Sequence, residues 1–143
     1  MRDILDGLRR DHDNFKMLLS AFERELKVFD TGGRPDYELI DDILRYSLDF
    51  PDQEHHKTEE FLVRRLLREH AGIRDVLDNI VREHQDLRYA GMEVMTRLEA
   101  ILNEEPVNRE SFIRLCRSFI DNHRNHMIRE EKILFPLVEE MLP

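Results

Sequence analysis

The sequence predicts an all-α protein, an up-down-up-down four-helix bundle, and three observations carry that prediction. Apolar residues recur at alternating steps of four and three through four long segments, which marks one buried helix face in each. No stretch alternates with period two, so no strand is expected. The connections between the segments are short, and short links between long helices favour antiparallel neighbours.

The first helix is expected over residues 2–29 and stops at Thr31-Gly32-Gly33-Arg34-Pro35, a strong helix breaker. Asp36 is placed as the N-cap of the second, which continues to Glu69, with Gly72 following as a cap or turn residue. Inside that segment Pro51 removes one backbone hydrogen bond and crowds the carbonyl four residues earlier. A kink, or a split into two helices, is therefore expected about one turn before His55. The third helix covers residues 73–102 and closes at Asn103-Glu104-Glu105-Pro106. The fourth begins near Pro106 to Asn108, where proline suits a first turn, and runs to Met141.

Composition narrows the function classes. At 143 residues, 41% of them apolar, the chain is long enough to bury one core, and residues 1–143 read as a single domain. A net charge of −9 argues against a nucleic-acid surface, which relies on clustered Lys and Arg. No apolar run approaches the roughly 20 residues of a membrane span. The N-terminus has no apolar leader, so a cytoplasmic location is expected. The one cysteine, Cys116, cannot form an internal disulfide; it falls on an inward stripe and reads as a small buried hydrophobe.

Each apolar stripe is interrupted by histidine. The first reads Leu8, His12, Phe15, Leu19, Phe22, Leu26, Phe29, and the third Ile73, Leu77, Ile80, His84, Leu87, Gly91, Val94, Leu98, Ile101. The second carries Leu44, Leu48, His55, Glu59, Leu62, Leu66, and the fourth Phe112, Cys116, Phe119, His123, His126, Glu130, Ile133, Leu137. Unpaired imidazoles and carboxylates are costly in a core. Helix rise places them at one level: His12 and His84 stand roughly 15 and 17 Å above one end of the bundle, and His55 and His126 roughly 21 to 23 Å. Within the uncertainty of helix ends, this is a single layer.

Residues at i and i+4 share a helix face, so His55 with Glu59 and His126 with Glu130 each offer an imidazole and a carboxylate that can bridge to a second metal. With His12 and His84 the set has four nitrogen donors and two carboxylates. That exceeds a tetrahedral zinc site and is not the all-oxygen shell of calcium. It suits iron or manganese, with positions open for an outside ligand, and other divalent metals fit less specifically. His56 with Glu60 has the same spacing, but its line meets Asp49 and Asp52 and looks wetter, so His55 and Glu59 are preferred. His123 reads either as a fifth histidine ligand or as a hydrogen-bonding partner of one. Arg88, one turn after His84, either snorkels outward or pairs with a bridging carboxylate. His70 reads as a solvated group at a helix end.

In order and spacing, His12, His55-x-x-x-Glu59, His84 and His126-x-x-x-Glu130, followed by Glu131 and Ile133-Leu134-Phe135-Pro136, resemble the hemerythrin HHE cation-binding domain. The resemblance covers nearly the whole chain. It implies a di-iron centre inside the bundle, two Fe ions with oxo or hydroxo and carboxylate bridges, held by those six residues. It also implies a small ligand: dioxygen, nitric oxide or peroxide. True hemerythrins have a second histidine four residues after the third-helix ligand, where this chain has Arg88, and His-x-x-x-x-Asp in the last helix, where this chain has His-x-x-x-Glu. Those departures place it with hemerythrin-like proteins rather than reversible oxygen carriers. The expected role is ligand binding in sensing, storage or stress response, with no catalytic side chain identified. Competing readings are a di-iron enzyme that consumes peroxide or repairs nitrosative damage, an iron storage or delivery module, and a helical interaction module whose histidines merely pack.

Overall fold

The computed structural model describes residues 1–50 and 54–142, and it is helical almost throughout, with no strand among them. The elements are α1 (Arg2–Asp30), α2 (Tyr37–Phe50), α3 (His56–Glu69), α4 (Arg74–Leu102), α5 (Arg109–Arg129) and α6 (Phe135–Met141). A 3-10 turn, Ala71–Ile73, links α3 to α4, and a π turn, Glu130–Leu134, joins α5 to α6 without a break in helical backbone angles. Glu54 and His55 also sit in a π turn, just ahead of α3. The kink expected at Pro51 lies outside the described residues; the segment containing it forms α2 on one side and α3 on the other. No described helix is long and apolar enough to cross a membrane.

The helix ends follow their local chemistry. Asp36 caps α2, its Oδ1 accepting the Leu39 N–H at 3.0 Å. Asn108 caps α5 by accepting the Ser111 N–H at 2.9 Å. After α1 the chain turns through Gly32 at φ +88°, a left-handed geometry suited to glycine. Gly72 proves to be a turn residue: α3 is capped by His70, whose N–H bonds to the Leu66 carbonyl at 2.7 Å.

Side-chain pairs fix the directions of the helices. Arg9 near the start of α1 pairs with Glu139 in α6, and Arg117 in α5 pairs with Asp30 at the end of α1. Likewise Arg129 meets Glu83 and Arg97 meets Ser111, which sets α4 against α5 in opposite directions. Such exposed pairs add little stability, but they report the register plainly. α1 packs on α2 and α5, and α4 packs on α2, α3 and α5, which makes a helical bundle of alternating direction.

The predicted stripe of α1 is buried throughout, and that of α4 from Leu77 to Leu98, with its two ends, Ile73 and Ile101, half-buried. Along the bundle axis the core divides in two. One apolar cluster gathers around Phe15, Phe22, Phe112 and Phe119. The other gathers around Leu5, Leu66, Leu77, Leu134 and Phe135, with the histidines and glutamates between them.

The last helix departs from the expected register. Beyond Glu130 the fully buried residues are Leu134, Phe135 and Val138, while the expected Ile133 and Leu137 are only half-buried. The π turn accounts for this, because the Phe135 N–H reaches back five residues to the Glu130 carbonyl and so adds one residue to the turn. Pro136, which has no N–H to donate, follows immediately. The shift brings the Phe135 ring against His12, with centroids 5.2 Å apart.

Close approach of α2, α4 and α5 depends on Gly91, where a Cβ would lie 2.6 Å from Leu48 Cδ2 and 3.2 Å from Phe119 Cε2. Overpacking of this kind costs about 1–3 kcal/mol, against about 1 kcal/mol gained by alanine in helix propensity. Gly91→Ala is therefore expected to lose up to about 2 kcal/mol of stability in urea unfolding. A more stable variant would show that Leu48 moves aside at little cost.

Candidate metal centre

The elements bring all six preferred donors into one layer. His12 comes from α1, His55 from the turn before α3, Glu59 from α3, His84 from α4, His126 from α5, and Glu130 from the π turn. All six are buried, and both glutamates are completely so.

The two carboxylates divide their oxygens. Glu59 Oε2 faces His55 Nε2 at 3.2 Å and His12 Nε2 at 3.8 Å, while its Oε1 faces His84 Nε2 at 3.3 Å. Glu130 Oε1 accepts from His12 Nε2 at 3.1 Å, and its Oε2 lies 3.1 Å from His84 Nε2 and 3.2 Å from His126 Nε2. Two donor groups result, with Glu59 common to both. One contains His12, His55, Glu59 and Glu130; the other contains His56, Glu59, His84 and His126, and the donor atoms of each lie within 4.8 Å of one another.

Behind the imidazoles stands a second set of acids. His12 Nδ1 donates to Glu131 at 3.0 Å, His55 Nδ1 to Asp11 at 2.9 Å, and His126 Nδ1 to Glu83 at 3.1 Å. His84 Nδ1 makes a longer contact of 3.5 Å to Glu60. An ionised carboxylate only accepts, so Nδ1 holds its proton, and loss of the other proton leaves the neutral tautomer with the Nε2 lone pair pointing inward. That is the tautomer a metal needs.

The electrostatics follow from crowding two buried carboxylates among imidazoles. Burial alone would lower the histidine pKa values, yet Glu130 and Glu59 outweigh it and raise His12 to about 10 and His84 to about 11. His55 and His126 are raised against the same burial penalty, by Glu59 and Glu130 respectively. Burial would raise Glu130, but the surrounding histidines hold it well below the usual carboxylate range. Positive charge on the imidazoles, above all His12 and His84, is what the two glutamates draw to the centre. Protons thus stand where metal charge would.

The donor set fits a metal on its own evidence. Neither oxygen of Glu59 makes a hydrogen bond, although three imidazole nitrogens lie within 3.8 Å, and His126 Nε2 makes none either. Orphaned buried carboxylate oxygens are costly. Donor separations near 3 Å are those of adjacent ligands on one ion with bonds of about 2.1 Å.

The other expected residues divide. His56 is drawn in rather than wetted: it is 9% exposed, stacks on His84 with centroids 3.7 Å apart, and joins the second donor group. Glu60 stays outside both groups, behind His84. His123 is buried but belongs to neither group; burial, then the charge of His126, lowers its pKa to about 3. It lines a small cavity with Ser47, His56, His84 and Arg88. Cys116 is fully buried, and burial pushes its thiol up to about 12. Asp11 and Glu83 were not expected at the site. Their only sequence signal is adjacency, since each immediately precedes an inward histidine.

A family model for the hemerythrin HHE cation binding domain matches residues 3–138. Comparison with curated proteins finds no match, and comparison with solved structures finds none.

Metal uptake should displace protons, because the ligands must be deprotonated to bind. At pH 7 the release of several protons per chain, up to the four on His12, His55, His84 and His126, is expected on adding a divalent metal to weakly buffered protein. Affinity should then rise with pH. The raised histidine values also stabilise the metal-free fold fully below about pH 6.5, and that stability is lost as pH climbs through the folded values of about 10 and 11. Alkaline unfolding should accordingly be earlier without metal than with it. Binding with no proton release would contradict this arrangement.

Proposed function

The chain belongs to the hemerythrin HHE cation-binding domain family, and on that premise we propose that it holds two iron ions and binds a small ligand, dioxygen, nitric oxide or peroxide, at the centre of the bundle. One observation carries the proposal: each buried carboxylate directs one oxygen to the His12–His55 side and the other to the His84–His126 side. A single-ion site has no use for that division.

On this reading His12 and His55 would hold one ion and His84 and His126 the other, with Glu59 and Glu130 offering an oxygen to each. His56 is placed to give the second ion a third imidazole. The first ion would then have four protein donors, fewer than the six of an octahedral shell, and could take a ligand from outside. Iron supplies the capacity to bind and exchange electrons with dioxygen, nitric oxide or peroxide. The chain's own contribution is to hold the imidazoles in the right tautomer through Asp11, Glu83 and Glu131, and to exclude bulk water with Phe15 and Phe135, whose rings lie 5.5 Å from His55 and 5.2 Å from His12.

Protein produced with iron should contain about two irons per chain and show near-ultraviolet absorption of bridged ferric ions that changes on adding nitric oxide or peroxide. Removing a spanning carboxylate, by Glu59→Ala or Glu130→Ala, should deplete both ions. Removing one imidazole, by His55→Ala or His126→Ala, should weaken mainly one of them. A parent protein that takes up no iron on reconstitution would refute the proposal.

A further inference from the structure

The acids behind the histidines follow a cyclic rule. Each is the immediate chain neighbour of an inward donor, yet each serves the histidine of the next element. Asp11 of α1 bonds to His55 ahead of α3, and Glu60 of α3 contacts His84 of α4. Glu83 of α4 bonds to His126 of α5, and Glu131, after α5, bonds to His12 of α1, which closes the ring.

Two members of this ring share their accepting oxygen with a cation. Glu131 Oε1 takes the His12 Nδ1–H at 3.0 Å and the Lys16 ammonium at 2.9 Å. Glu83 Oε1 takes the His126 Nδ1–H at 3.1 Å and the Arg129 Nε–H at 3.0 Å. A carboxylate on Nδ1–H makes the opposite nitrogen a stronger donor, which favours the more positive oxidation state of a bound metal. A cation on the same oxygen withdraws part of that effect. The two therefore act on Nε2 in opposite senses through one atom.

We propose that this outer carboxylate ring sets the reduction potential of the metal centre, with the Glu131–Lys16 and Glu83–Arg129 pairs as its adjustable members. The proposal rests on the two-iron reading above. Asp11, Glu60, Glu83 and Glu131 are then positioning residues, acting through imidazoles rather than touching metal or ligand.

Opposed substitutions test it. Lys16 and Arg129 have side chains 47% and 45% exposed, so replacing them leaves the core untouched. In iron-loaded protein, Lys16→Met should lower the midpoint potential and Glu131→Gln should raise it, both at the iron content of the parent. Arg129→Met and Glu83→Gln form a second pair with the same signs and serve if a variant of the first fails to fold. A purely structural role predicts no shift, or shifts of one sign for both members of a pair, and either result overturns the proposal. Iron content separates the two readings: a parent without iron removes both, whereas full iron with unmoved potentials removes this one alone.

Discussion

Two glutamates, Glu59 and Glu130, lie completely buried at the middle of a helical bundle, and much else in the structure answers to them. A lone carboxylate in such surroundings would neutralise itself by taking up a proton. Here Glu130 instead remains strongly acidic, because His126, His12 and His84 converge on it. Positive charge is thus demanded at the bundle centre whatever supplies it. Protonated imidazoles can supply it, and so can metal ions. Glu59 is the better suited to metal, since its oxygens sit near three imidazole nitrogens without the alignment of a hydrogen bond to any.

The fold is organised to sustain that layer. An apolar cluster stands on each side of it, so hydrophobic burial at both ends holds the helices at the spacing the polar middle requires. Both His-x-x-x-Glu segments adjoin a π turn, Glu54–His55 ahead of one and Glu130–Leu134 at the end of the other. A π turn adds a residue to the helix and so changes which side chains face inward on either side of it. Two consecutive histidines, His55 and His56, both reach the interior beside the first. Beside the second, Glu130 and Leu134 are both fully buried.

This also explains which features were legible in the sequence. The stripes of α1 and α4 were readable because a regular helix keeps its period, and His12 and His84 fall on them without adjustment. Counting helix rise placed the histidines in one layer because straight helices keep their heights. Wherever the period breaks, the reading fails: His56 looked wet, and Ile133 and Leu137 looked buried, because a π turn cannot be seen in a hydrophobic pattern. Asp11 and Glu83 were hidden for a different reason. In a chain with 31 acidic residues, an acid beside a histidine is unremarkable until the neighbouring helix is in place.

The ring of acids shows what that neighbouring helix contributes. A carboxylate on the same helix as its histidine would orient the imidazole but leave helix register free. Because each acid instead reaches across to the next element, sliding one helix against its neighbour would cost a hydrogen bond from Nδ1–H as well as an inward contact at Nε2. Packing alone tolerates small shifts between smooth apolar faces, whereas hydrogen bonds weaken steeply with misalignment. Helix register and imidazole orientation are therefore fixed by the same contacts. The site is as rigid as the bundle because it is part of what aligns it.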